Sequence, residues 1–233
     1  MSQNISFSII IPAYNEEAII KKAIEEALDV LNRNQANYEI IVVNDGSTDQ
    51  TKTIVDTHFS NNPNITLHHK PQNQGFGSAV RTGIQLAKQQ YLLCVPADSP
   101  LSNDMYTAFA ACCHQADIIV GYRVKRVGYS PRMQLNSWVY HHLISKMFGM
   151  QLRDYNWVHL YNRKIFDPGK VIIESNGIFM LAEVLIKAKL NGFTFHEIEV
   201  EQRERLTGIA TAAKLSSIVK TIVEMTFFRL RIK

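Results

Sequence analysis

The residues with chemistry in this chain are carboxylates, glycines and arginines, most of them placed just after apolar runs. Tyr14 and Glu16 follow Ile9-Ile10-Ile11-Pro12-Ala13. Asp45 follows Ile40-Ile41-Val42-Val43-Asn44 and opens the turn Asp45-Gly46-Ser47-Thr48-Asp49. Asp98 follows the run that ends at Val95. A carboxylate is a good acceptor for ribose hydroxyls. It is also a ligand for Mg²⁺, which takes one or two carboxylates and completes its shell with phosphates and water. Gly75 and Gly77 form a small-residue loop, and Arg123, Arg126, Arg203 and Arg205 supply guanidinium groups that match phosphate geometry through paired donors. Asp154 stands apart, between Arg153 and Tyr155. Carboxylates, small residues and guanidiniums together suit a phosphorylated, hydroxyl-bearing ligand.

The elements that must position these groups are legible in the apolar pattern. Ile5 to Ile11 reads as a strand buried on both faces in its second half. Ile20, Ala23, Ile24, Ala27, Leu28 and Leu31 follow at helical spacing. Tyr38 to Val43 is a second strand, and Ser47-Thr48-Asp49-Gln50 has the capping-box spacing that starts a second helix. Ile65 to His68, Tyr91 to Val95 and Asp117 to Val120 read as further strands. Helices lie between them, one after Gly77 and one over Tyr106 to His114. This alternation predicts an α/β chain with a mainly parallel sheet and helices on both faces. In such a sheet the polar turns after the strands emerge on one edge, where open α/β sheets bind ligands.

Beyond Gly121 the alternation weakens. Ser137 to Phe148 reads as a helix, Asp154 to Tyr161 as a strand, and Asn176 to Leu190 as a helix. Phe195 to Val200 reads as an edge strand, since Glu197, Glu199 and Glu201 alternate with Ile198 and Val200. Gln202 to Thr211 is polar, and Ala212 to Lys233 is a last helix. No composition shift marks an internal boundary, so residues 1–211 are expected to form one domain and 212–233 an amphipathic terminal helix.

Composition bounds the function. A chain of 233 residues buries a sizeable core without disulfides. A formal charge of +4 permits anionic partners such as phosphates or a lipid surface but does not demand nucleic acid. Cys94, Cys112 and Cys113 make neither a disulfide framework nor a CxxC metal site, which fits a reduced, cytoplasmic setting. The first residues lack the basic-then-apolar pattern of a signal peptide, and no apolar run is long enough for a transmembrane segment. Gly75-Phe76-Gly77 is a poor dinucleotide fingerprint, because position 80 is Val80 rather than a third glycine.

The ordered set Ile9-Ile10-Ile11-Pro12-Ala13-Tyr14-Asn15-Glu16, Val42-Val43-Asn44-Asp45-Gly46-Ser47-Thr48-Asp49, Asn73-x-Gly75-x-Gly77-x-Ala79 with Gly83, and the Asp98 turn resembles the family 2 glycosyltransferases of the GT-A fold. The nearest resemblance is to the dolichol- and polyprenyl-phosphate sugar transferases. Gly121-Tyr122-Arg123, Asp154 and Arg205-x-x-Gly208 match more loosely. The resemblance implies a nucleotide-sugar donor, UDP- or GDP-linked, and a polyprenyl phosphate acceptor met at a membrane surface. It places Pro12, Tyr14, Glu16, Asp45, Gly75 and Gly77 around the nucleotide. It places Asp98 on a divalent cation, Mg²⁺ or Mn²⁺, and Arg123, Arg126, Arg203 and Arg205 on phosphates. Asp154 falls at the acceptor end, with Asp98, Asp154 and Arg205 as the catalytic set. Inverting, in-line displacement of the nucleoside diphosphate is the implied reaction.

Departures from the family pattern leave alternatives open. The family has Asp-x-Asp where this chain has Pro96-Ala97-Asp98, so metal use through one Asp, loss of metal dependence and a catalytically silent nucleotide-binding relative all stand. Asp154 is a general base for a hydroxyl acceptor, as in a soluble carbohydrate transferase, or an indirect contact to a lipid phosphate, or the partner of a nearby arginine. Trp157 occupies a place where a small residue is expected. His141, His142 and His159 form no persuasive metal set. The last helix, which ends Phe227-Phe228-Arg229-Leu230-Arg231-Ile232-Lys233, suits a membrane interface or packing on its own domain or on a second subunit of a homodimer.

Overall fold

A computed structural model of the chain describes residues 5–124, 129–202 and 215–232. In its interior lies β1, Ser6–Ala13, buried along its whole length. Such a run has no polar face, so it forms the middle of a sheet covered on both sides. Beside it lie β2, Asn37–Asn44, and β4, Tyr91–Cys94, both parallel to it. β3, Ile65–His69, pairs outside β2. With β5, Ile118–Tyr122, β6, His159–Asn162, and β7, Phe195–Glu199, the strands form a seven-stranded sheet in the order β3-β2-β1-β4-β6-β5-β7. Every pairing is parallel except the two made by β6. β7 is the edge strand its alternating glutamates predict.

Alternation along each strand divides the core into two layers. Ile9, Ile11, Ile40, Val42 and Leu93 face one side, where α1, Ile20–Arg33, α2, Thr51–Phe59, and α4, Asn103–Cys112, pack. Ile10, Ile41, Val43, Leu92 and Val120 face the other. There α3, Phe76–Leu86, α5, Pro131–Phe148, α6, Met180–Leu190, and α7, Leu215–Arg231, cover the sheet. Each fully buried isoleucine, leucine or valine contributes about 1.5–3 kcal/mol, so a sheet with two covered faces supplies most of the stability. Among the described residues no helix is long and apolar enough to cross a membrane.

Several boundaries differ from the sequence pattern. The strand expected over Asp154 to Tyr161 begins only at His159, because Asp154 Oδ1 accepts a hydrogen bond from Asn156 N at 3.0 Å and holds the preceding segment in a turn. α5 starts at Pro131 rather than Ser137, with Ser130 Oγ accepting from Met133 N. Proline suits that first position, where its missing N–H costs nothing. α6 starts at Met180 rather than Asn176. Ser47 does not cap α2; Asp49 Oδ1 accepts from Thr51 N instead, and Ser47 turns toward the first loop.

The antiparallel β6 matters for function. Parallel strands leave their C-terminal ends at one rim, and an antiparallel strand enters from that same rim. The loop before β6, with Asp154, therefore joins the loops after β1, β2, β4 and β5.

Candidate active site

The loops after β1 and β2 are tied together atom by atom. Asn15 has a left-handed φ of 55°, a conformation that Asn tolerates better than most residues. Its backbone N donates to Ser47 Oγ at 2.9 Å, and its side-chain Oδ1 accepts from Thr48 N at 2.8 Å. Glu16 N donates to Thr51 Oγ1 at 2.8 Å, and Glu17 N to Asp49 Oδ2 at 3.1 Å. Asp45 N completes the seam by donating to Ala13 O at 2.9 Å. Pro12 is buried beneath this seam, while Tyr14 is 43% exposed above it. The result is a fixed ledge with an aromatic ring standing free beside the half-buried Glu16.

Asp45 is the hub behind the ledge. Its side chain is buried, and Oδ2 accepts from Gln74 N at 3.1 Å and Gly75 N at 2.7 Å. Oδ1 forms an ion pair with Lys70 Nζ at 3.1 Å, off ideal hydrogen-bond alignment, and Lys70 Nζ also donates to Ser78 Oγ at 2.7 Å. Gly46 takes φ +70°, where any side chain would overlap the backbone of Gln72 and Asn73. Gly75 and Gly77 serve a close approach within the protein: a Cβ on Gly75 would lie 2.5 Å from Asn176 O, and Gly77 N donates to the same carbonyl at 2.8 Å. Glu183, fully buried in α6, holds that neighbouring segment. Its oxygens accept from Glu174 N at 2.9 Å, Ser175 N at 2.8 Å and Lys187 Nζ at 2.7 Å.

At the other end of the rim, Asp154 is fully buried and meets Arg123 side on. Arg123 Nε donates to Oδ2 at 2.8 Å and Nη2 to Oδ1 at 3.2 Å. Nη2 also donates to Asn156 O at 3.1 Å and Nη1 to Tyr129 OH at 3.2 Å, and the guanidinium lies 4.5 Å from the Trp157 ring centroid. His141 Nε2 is 3.6 Å from Asp154 Oδ1. Burial on its own would raise the pKa of Asp154. The approach of His141, then the charge and donors of Arg123, outweigh burial and hold the carboxyl far below the usual range. Asp154 is thus an internal counter-ion, and Arg123, with a side chain 3% exposed, is its partner rather than an open phosphate ligand. Trp157 fills the space a small residue would leave and stacks on that arginine.

Asp98 sits half-buried in the turn after β4, adjacent to β1. Among the described residues no three His, Cys, Asp or Glu side chains gather as a metal cage. One carboxylate fits a cation that takes most of its ligands from phosphate and water. His142 stacks on Trp138, and His159 is buried. Arg126, Arg203 and Arg205, with Gly208, lie outside the described residues.

A sequence model for "Glycosyl transferase family 2" matches residues 8–176, which includes every loop just described up to Asn176. The chain belongs to glycosyl transferase family 2. Among its relatives, the uncharacterized glycosyltransferase YkcC of Bacillus subtilis is 26% identical over 210 residues, 89% of this chain and 64% of YkcC. The dolichyl-phosphate beta-glucosyltransferase of Dictyostelium discoideum is 38% identical over 102 residues, 41% of this chain and 31% of that protein. The chain thus spans less than two thirds of these relatives. Glucosyl-3-phosphoglycerate synthase from Mycobacterium tuberculosis, solved with Mn²⁺, UDP and phosphoglyceric acid, superposes with a TM-score of 0.71 at 15% identity, covering 98% of this chain and 79% of that one. Mannosyl-3-phosphoglycerate synthase from Rubrobacter xylanophilus gives the same TM-score and identity. At such identity the likeness establishes the shared GT-A fold.

Within this family 2 domain, Lys70, Glu183 and His141 escape a sequence reading. Lys70 is a lone lysine in a polar loop and carries no periodic signal. Glu183 did leave one: it is an acid inside the apolar run Met180-Leu181-Ala182-Glu183-Val184-Leu185. An acid there needs a buried partner.

Proposed function

We propose that the chain binds a UDP- or GDP-sugar across the loops after β1, β2 and β4 and transfers the sugar to a polyprenyl phosphate presented at a membrane surface. The observation that carries the acceptor choice is the state of Asp154. A hydroxyl acceptor needs a base, and Asp154 is buried, paired and far below the usual carboxylate range. A phosphate acceptor is already an anion and needs none. Its oxygen attacks the anomeric carbon opposite the diphosphate. The carbon–oxygen bond to the diphosphate breaks, its electron pair leaves with the nucleoside diphosphate, and the anomeric configuration inverts.

In this reading Tyr14 and Glu16 hold the nucleoside on the ledge that Pro12 underlies. Asp45 fixes the ledge against the Gly75–Gly77 loop and borders the base. Asp98, with diphosphate oxygens, would hold Mg²⁺ or Mn²⁺; when bound, such an ion offsets charge on the departing diphosphate. Arg205 serves the leaving group, and Arg126 and Arg203 the phosphates. Arg123 acts through Asp154 to shape the acceptor end. The dolichyl-phosphate relatives support the acceptor class, and the Mn²⁺ and UDP in the mycobacterial synthase structure support the donor and cation.

Pro96, standing where the family places a first carboxylate, favours one second reading: a relative that binds nucleotide without transfer. A panel of UDP- and GDP-sugars, read by hydrolysis and by transfer to polyprenyl phosphate, separates the two. The proposal expects one donor class to turn over and Asp98→Asn to abolish turnover. Nucleotide binding with no turnover of any donor supports the silent relative, and no binding excludes both.

A further inference from the structure

Helices α5 and α7 meet near their C-terminal ends, where the rings of Phe148 and Phe228 lie 5.7 Å apart. Their inner faces belong to the core: Ile144, Met225 and Phe228 are buried. Their outer faces are apolar and bare. On α5, Leu135 is 59% and Trp138 63% exposed; on α7, Val223 is 46%, Phe227 60% and Leu230 72% exposed. Most of the exposed large apolar side chains of the described residues lie on these two helices. Between the helix ends opens an apolar groove of about 340 Å³, with Met147, Phe148, Leu190 and Ile232 in its wall beside Lys189 and Arg229.

The exposed charges carried by the two helices themselves have one sign, and the acid Glu174 lies near Arg231. α5 contains no acidic residue, and its Arg132 and Lys146 are exposed. The single acid of α7, Glu224, turns inward, with Oε2 2.8 Å from where a Cβ on Gly177 would sit. Arg229 and Arg231 are exposed. Two copies of this chain joined through these faces would set arginines and lysines against each other, whereas an anionic lipid surface complements them.

We propose that the outer faces of α5 and α7 form one docking surface for an anionic phospholipid membrane. Trp138, Phe227 and Leu230 enter the boundary between headgroups and acyl chains, and Arg132, Lys146, Arg229 and Arg231 face the lipid phosphates. α7 thus does two things at once: it packs on its own domain through Met225 and Phe228, and it offers its opposite side to lipid. The surface deepens the proposed acceptor reading, since a polyprenyl phosphate is reached from a membrane. Docking itself is measured without donor or acceptor, so its failure and that of the transferase reading are distinguishable.

The test is flotation of the full chain with vesicles of phosphatidylcholine alone and of phosphatidylcholine with phosphatidylglycerol in equal parts. Recovery is expected with the anionic vesicles and falls as salt is added. Neutralising two charges, Arg229→Gln with Arg231→Gln, lowers the partition coefficient roughly thirtyfold, from about fivefold per basic residue near an anionic surface. Trp138→Ser and Phe227→Ser each lower it as well, with melting temperatures held because both side chains are exposed. No recovery with anionic vesicles, or equal recovery with both compositions, overturns the proposal. A concentration-dependent dimer that Phe227→Ser dissolves also overturns it, by seating a second copy on the face.

Discussion

Lys70 Nζ lies 3.1 Å from Asp45 Oδ1, with both side chains almost fully buried, and this pair joins the loop after β3 to the loop after β2. Removing one member of a buried pair leaves the other charge uncompensated, at about 3–5 kcal/mol. Lys70→Met is expected to destabilise the protein by the lower part of that range, because Gln74 N and Gly75 N still serve Asp45. Adding Asp45→Asn removes the stranded charge and recovers part of the loss. Urea unfolding of the two single variants and the double variant checks this through the coupling term.

Gly77 shows how tightly the rim is built. A methyl group there overlaps Ser175 O, a backbone atom that Glu183 holds through Ser175 N. Gly77→Ala is expected to cost about 1–3 kcal/mol by overpacking. Shortening Asn176 in a second variant gives no relief, since the obstacle is main chain. Thermal melting of the single and double variants reads both outcomes.

Asp154 separates a structural carboxylate from a chemical one. If it were a general base, Asp154→Asn would lower kcat by about 10²–10⁴ while leaving stability nearly intact. Here the reverse is expected: the variant strands Arg123, melts much earlier, and keeps donor hydrolysis when assayed below its melting temperature. Arg123→Lys follows the same pattern, because an ammonium cannot reproduce the paired donors. Melting curves beside turnover at low temperature decide between them.

His159 predicts a pH dependence of stability. Burial lowers its pKa from 6.5 to about 4, against the opposing charge of Asp154. Neither ring nitrogen finds a well-aligned partner, although the backbone of Tyr155 and Val158 approaches the ring. The unfolded chain binds the proton more readily, so the contribution is full above about pH 6.5 and falls away as pH drops toward 4. Its size is about 3 kcal/mol, from about 1.4 kcal/mol per pKa unit. Denaturant midpoints between pH 7 and pH 4.5 should fall for the parent protein and stay flatter for His159→Leu.

Much of the fold was legible because β1 and β2 are buried on both faces and leave unbroken apolar runs. The rim followed from the same pattern, since every parallel strand ends there, and the polar residues after Ala13, Asn44 and Val95 marked it. β6 was harder. Nothing in Asp154 to Tyr161 records that the strand runs antiparallel, and the Asp154–Asn156 turn shortens it without changing the apolar content. The partners of Asp45 and Asp154 were invisible for another reason: Lys70 is 25 residues from Asp45, and Arg123 is 31 from Asp154, so only folding brings them together. The glycines at 75 and 77 were legible as a close approach, but the surface they approach is the chain's own backbone at Ser175 and Asn176.

The central claim is that the seam joining Asn15 to Ser47 and Thr48 builds a nucleoside ledge with Tyr14 free above it. Calorimetric titration of UDP and GDP, with Mn²⁺ present, into the full chain and into Tyr14→Ala tests it most directly. One of the two nucleotides should bind the parent chain, and loss of the ring should weaken it roughly tenfold, as expected for an aromatic contact of about 0.5–1.5 kcal/mol beyond its buried area. Failure of both nucleotides to bind, or equal affinity in parent and variant, would contradict it.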